Sequence, residues 1–242
     1  MTDNYRKRLI EPFLEYYRYN ILPKTEKTEE ILREKESVIS QDGYFAIPSF
    51  TVLLTSYCTL RCKHCIRRIP HLKGAHVPLD SAIRSIDMIL NAVDECATIE
   101  FTGGEIFLYP YLKELLRNYL DSNKFEKIFM VTTGTVPLDK DLWELLTHKK
   151  IRLYVNDYGC NLPQFTEFIH QLIDRDIDFE IRNSVKWIDF EGFSNKNKTK
   201  ETMQVEYSRC YSAKFCKNLI FPDETRGGGI PSMFGSNYLD RK

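Results

Sequence analysis

The sequence predicts an α/β fold: a partial parallel (β/α) barrel of about five or six units, with a helical N-terminal extension and a cysteine-bearing C-terminal extension. Three observations predict it. Between residues 49 and 183, β-branched and aromatic runs alternate with segments of helical spacing. The connections are short, which in an alternating chain means parallel strands joined by right-handed crossovers. The first strand is not followed by a glycine-rich turn into a helix, which argues against a doubly wound dinucleotide sheet.

The elements follow in order. Residues 1–20 and about 24–36 read as two helices parted by Leu22-Pro23, the second so polar all round that it suggests an exposed helix or a mobile arm. SFTVLLTSY is strand one. In VPLDSAIRSIDMILNAVDE, Pro78 marks a helix start, and Ile83, Ile86, Leu90 and Val93 recur at helical spacing. CATIEF is strand two, YPYLKELLRNYLDS a helix, FEKIFMVTT strand three and LDKDLWELLTHKK a helix. IRLYVND is strand four, LPQFTEFIHQLIDRD a helix and IDFEIRN strand five. After Ser184 the rhythm stops, and the tail from Pro222 has too few apolar residues to form a core. The expected organisation is a helical extension over 1–45, a barrel over 46–190 and an extension over 191–242.

With 43% hydrophobic and 28% charged residues, an ordinary core is expected. Lys+Arg and Asp+Glu both number 34, and this balance points away from a nucleic-acid partner. No apolar run approaches the roughly 20 residues that span a bilayer, and the N-terminus has no signal-peptide core. A cytoplasmic protein with no membrane partner is the expectation. Seven cysteines, an odd number without a secretion signal, favour metal or redox use over a disulfide framework.

The strongest chemical signal is Cys58-Thr59-Leu60-Arg61-Cys62-Lys63-His64-Cys65. Three thiolates at C-x3-C-x2-C can hold one corner of an iron–sulfur cubane and leave the fourth iron open to a small molecule. Arg61, Lys63, Arg67 and Arg68 surround the loop with positive charge, which favours thiolate over thiol. A zinc site built on Cys62, Cys65 and His64 is the competing reading. Strand two ends in Phe101-Thr102-Gly103-Gly104-Glu105, where the glycines let a ligand approach the backbone and the carboxylate can accept from an ammonium group. A tight strand-to-helix turn is the plainer account of the same residues.

CTLRCKHC resembles the cluster loop of radical S-adenosylmethionine enzymes, with His64 in the place commonly taken by an aromatic residue before the last cysteine. GGE, one βα unit later, resembles that superfamily's motif for the methionyl amino group, and the resemblance runs from about residue 48 to 184. It implies a 4Fe–4S cluster on Cys58, Cys62 and Cys65, and S-adenosylmethionine at Gly103, Gly104 and Glu105. Strands three, four and five end in small polar clusters, on the face where barrel enzymes build their sites. By position, Thr133, Asn156 and Arg182 are the further cofactor candidates, Arg182 suited to a carboxylate by its planar fork. The implied reaction is one-electron cleavage of S-adenosylmethionine to a 5′-deoxyadenosyl radical that takes hydrogen from a substrate. A one-electron donor such as a flavodoxin or ferredoxin would supply the electron. No catalytic acid, base or radical relay is assignable.

Cys210 and Cys216 resemble the start of the auxiliary-cluster region called SPASM, or its shorter twitch form. No further cysteine follows, so a second iron–sulfur cluster and a metal-free remnant both stay open. Substrate class also stays open between a sugar-derived small molecule and a peptide. The alternatives from other classes are a non-catalytic iron–sulfur or zinc binding protein, and a glycyl-radical activase.

Overall fold

The computed structural model describes residues 10–63, 65, 67, 69–159, 163–183, 199–209 and 217–219. Six strands, β1 (Ala46–Thr55), β2 (Glu95–Gly103), β3 (Phe125–Thr132), β4 (Ile151–Asp157), β5 (Phe179–Asn183) and β6 (Lys217–Leu219), form one sheet in the order β5-β4-β3-β2-β1-β6. All pairings are parallel, so the strands end on one side. The helices are α1 (Glu11–Asn20), α2 (Thr28–Ile39), α3 (Leu79–Ala92), α4 (Leu112–Tyr119), α5 (Lys140–Leu146), α6 (Pro163–Asp174) and α7 (Lys200–Arg209). From β1 to β5 this is the predicted alternation and the predicted partial barrel.

Local chemistry explains the elements. β1 is buried along its length apart from Ile47, as expected of a parallel strand covered on both faces. Pro48 lacks a donor, and it lies outside the stretch Phe50–Val52 that β6 pairs. α3 starts after Pro78 and buries Ala82, Ile86 and Leu90 at successive fourth positions. α4 buries Leu112, Leu115, Leu116 and Tyr119, and the Tyr119 hydroxyl donates to Asp87 at 2.8 Å. The Asp139 carboxylate caps α5 by accepting from the Leu142 amide at 2.9 Å.

The N-terminal helices close the barrel end away from the strand termini. Phe13, Tyr16 and Tyr17 of α1 pack with Ala97, Phe129 and Tyr154, and the Tyr16 hydroxyl meets Thr98 Oγ1 at 2.6 Å. The expectation of an exposed or mobile second helix is corrected here. α2 buries Leu32 and Ile39, and Lys35 bridges to Glu95 at 2.7 Å. Its buried apolar residues are few and seven positions apart, and the residues between them are mostly polar, so the stripe is faint in the sequence. α7 and β6 were also not anticipated; a three-residue strand carries no periodicity. Among the described residues, no helix is long and apolar enough to cross a membrane.

The α1 contact gives a simple test. Tyr16→Phe strips Thr98 of a buried partner and should lower unfolding free energy by about 1–2 kcal/mol. Urea denaturation reads this directly, and an unchanged midpoint would mean the hydroxyl contact contributes nothing.

Candidate active site

The site lies where β1 to β4 end. Past Thr55, the chain is held in place before it reaches the first cysteine. The Ser56 amide donates to Ala75 O at 2.9 Å, and the Ser56 hydroxyl accepts from the Ala75 amide at 2.8 Å. Across the gap, the Gly104 amide donates to Thr55 O and the Glu105 amide to Tyr57 O, both at 2.8 Å. The diglycine is thus stitched to the backbone that carries Cys58.

Gly104 is required by this closeness. A Cβ there would overlap the Tyr57 carbonyl oxygen and lie 2.7 Å from its carbon and 2.9 Å from Cys58 Cβ.

Cys58, Cys62 and Cys65 are half-buried and share the wall of one cavity of about 220 Å³. Gly103, Gly104, Thr133 and Asn156 line the same cavity, so it gathers four of the six cofactor candidates. Burial pushes the Cys58 thiol up to about 11, a shift opposed by the Leu60 amide and reinforced by Glu105 and the neighbouring thiols. Of the loop's basic residues, Arg67 lines the same cavity. Arg61 spends a donor on Pro70 O at 3.3 Å.

The donor set is three thiols on one cavity wall. The competing zinc set includes His64, which lies outside the described residues. A cubane asks for a different arrangement. Each thiolate binds a separate iron, so the sulfurs stand apart along one face. Three thiols lining one cavity are the ligand set it asks for.

A family model for the radical SAM superfamily matches residues 52–199. This chain belongs to the radical SAM superfamily. That family is one of enzymes built around a 4Fe–4S cluster and S-adenosylmethionine. The chain is 33% identical, over 121 residues, to the antilisterial bacteriocin subtilosin biosynthesis protein AlbA of Bacillus subtilis, covering 50% of this chain and 25% of AlbA. It is 31% identical over 94 residues to a GTP 3′,8-cyclase of Clostridium perfringens, covering 37% of this chain and 28% of the cyclase. It thus spans about a quarter of the length of the curated relatives it matches. Among solved structures, Streptococcus suis SuiB bound to S-adenosylmethionine aligns at 15% identity and a TM-score of 0.46, covering 90% of this chain and 51% of that one.

Two cofactor candidates of this radical SAM chain stand elsewhere. Glu105 is fully buried and does not line the cavity. Its Oε1 accepts from the Thr132 hydroxyl at 2.8 Å and the Phe107 amide at 3.2 Å. Its Oε2 accepts from the Thr133 amide at 2.8 Å and the Thr133 hydroxyl at 2.7 Å. Burial pushes this carboxyl up and those four donors oppose the shift. Four donors thus converge on the carboxylate that the sequence reading offers to an ammonium group, using its usual acceptor sites. Arg182 is also outside the cavity wall. Its guanidinium lies 3.3 Å above the Tyr154 ring centroid, with Nε 3.6 Å from Glu180.

The sequence reading missed Glu100. It is the one acidic side chain in the cavity wall among the described residues. Burial raises its pKa, and the charges of Arg67 and Arg182 act in the opposite sense. A signal existed: in Ile99-Glu100-Phe101-Thr102, the residues flanking Glu100 belong to the helix-covered core, while Glu100 and Thr102 alternate onto the cavity face. Cys160, Cys210, Cys216, His64, Arg68 and the tail from Pro222 lie outside the described residues.

Proposed function

We propose that this chain holds a 4Fe–4S cluster on Cys58, Cys62 and Cys65, binds S-adenosylmethionine beside it, and abstracts hydrogen from a substrate. The observation that carries the reading is the meeting of the three thiols with the diglycine on one cavity wall. When bound, the cluster and its cofactor supply a 5′-deoxyadenosyl radical by one-electron cleavage of the C5′–sulfur bond. The chain's own residues do the rest. Gly103 and Gly104 leave backbone open to the methionyl end, Asn156 offers a polar contact from the end of β4, Thr133 beside it holds the buried Glu105, and the half-buried loop limits water. Glu100, deeper on β2, offers a carboxylate to a hydrogen-bond donor of the substrate. A flavodoxin or ferredoxin is the class of donor that would supply the electron.

A peptide is the substrate class we favour. The support is the likeness to AlbA, whose name places it in bacteriocin biosynthesis, over half of this chain. Anaerobic purification and reconstitution test the activity. The protein should show a broad absorbance toward the blue with iron and sulfide, and should form 5′-deoxyadenosine from S-adenosylmethionine under reduction. A colourless zinc protein that leaves S-adenosylmethionine intact would reject the proposal.

The cysteine pair Cys210 and Cys216 carries its own prediction. Replacing both with Ala should leave barrel iron near about four per chain, one cubane's worth. A fall from about eight to about four would instead reveal a second cluster on those thiols. Loss of all iron would mean that they support the barrel itself.

A further inference from the structure

Three threonine hydroxyls join the buried Glu105 to the cysteine loop. Thr133 Oγ1 lies 2.7 Å from Glu105 Oε2, Thr135 Oγ1 lies 2.8 Å from Thr133 Oγ1, and Thr59 Oγ1 lies 2.8 Å from Thr135 Oγ1. Thr59 directly follows Cys58. Gly134 allows the arrangement: at φ +66 it turns the chain so that its two threonine neighbours reach the same chain of hydroxyls, and a Cβ there would sit 2.9 Å from the Phe168 ring.

The proton order along this chain follows from one constraint. Each hydroxyl has one proton, and an ionised carboxylate only accepts. The Thr133 proton is therefore committed to Glu105, so Thr133 must accept from Thr135. Thr135, its own proton spent, must accept from Thr59. All three protons point toward the carboxylate. Backbone donors reinforce the sense, because the Thr133 and Phe107 amides also point at Glu105 and cannot reverse.

We propose that Glu105 is a positioning residue for the cluster loop, acting through the one-way relay Thr133–Thr135–Thr59, rather than a ligand for the cofactor. This rests on the reading that Cys58 holds the cluster. The relay ties three separate pieces of chain together: the turn after β2, the end of β3 and the residue after the first cysteine. A carboxylate is needed at its root. In a glutamine, one of the two acceptor oxygens becomes an NH2 group, and at least one backbone amide, from Thr133 or Phe107, loses its acceptor.

The test compares Thr59→Val and Thr135→Val with Thr59→Ser and Thr135→Ser, all remote from the buried carboxylate itself, together with Glu105→Gln. In reconstituted protein, iron release to a chelator should speed up about fivefold in the valine variants, the effect of one lost neutral hydrogen bond. Glu105→Gln should move the same way, and the serine variants should stay near wild type. In iron-free protein, amide exchange over residues 56–63 should rise in the valine variants and not in the serine ones. Wild-type release and exchange in the valine variants would overturn the relay. Serine variants as impaired as the valine ones would overturn the role of the hydroxyl. Glu105→Gln at wild-type release would overturn the role of the carboxylate. If wild-type protein took up no iron, the function proposed above would fail, while the exchange comparison would still decide the relay.

Discussion

Replacing Cys58, Cys62 or Cys65 singly with Ala should leave anaerobically reconstituted protein with almost no iron and no S-adenosylmethionine cleavage. The effect is all-or-none because three protein ligands leave no spare. A cubane that already has one open iron cannot lose a second thiolate and stay in its loop. All three sulfurs share the cavity wall, and Cys96, the other cysteine among the described residues, is fully buried with its thiol donating to Thr98 O at 3.1 Å. It cannot substitute. Iron and sulfide titration of the three variants checks this, and full iron in any one of them would disprove its ligand role.

Gly104→Ala should be nearly as damaging, although it adds one methyl group. The atoms it would strike belong to backbone and to the first cysteine of the loop: Tyr57 C at 2.7 Å and Cys58 Cβ at 2.9 Å. Backbone anchored by two 2.8 Å hydrogen bonds to the diglycine turn cannot swing aside as a flexible side chain would. Overpacking of this kind costs about 1–3 kcal/mol, which is about 5- to 150-fold in an equilibrium that depends on the loop. The expected result is weaker S-adenosylmethionine binding by calorimetry together with poorer iron retention. Wild-type values for both would show that the turn tolerates a side chain and that the close approach has no functional weight.

The site divides into what local sequence can carry and what it cannot. The cysteine spacing and the diglycine are local patterns, so they are readable from a few adjacent residues. Glu105 sits in the same motif, yet its partners Thr132 and Thr133 come from the end of another strand. No spacing rule places a carboxylate against them. Glu100 announces itself only as a charge inside an apolar strand, and which face it takes depends on the sheet around it. The barrel rhythm of β1 to β5 was readable because each unit buries a helix stripe on a strand. α2 is hard to read for the opposite reason: only Leu32 and Ile39 are buried, seven residues apart, and the Lys35–Glu95 ion pair between them is invisible to hydropathy. β6 depends on pairing with Phe50–Val52 from the far end of the chain, and such long-range partners leave no local trace.

The helix α1 has a consequence for Glu100. It fills the barrel end opposite the cysteines, with the Tyr16 hydroxyl touching Thr98 just below the level of Glu100 on the same strand. Phe129, paired in register with Glu100, belongs to the same aromatic cluster as α1, so how the N-terminal helix packs bears on how firmly that carboxylate is held.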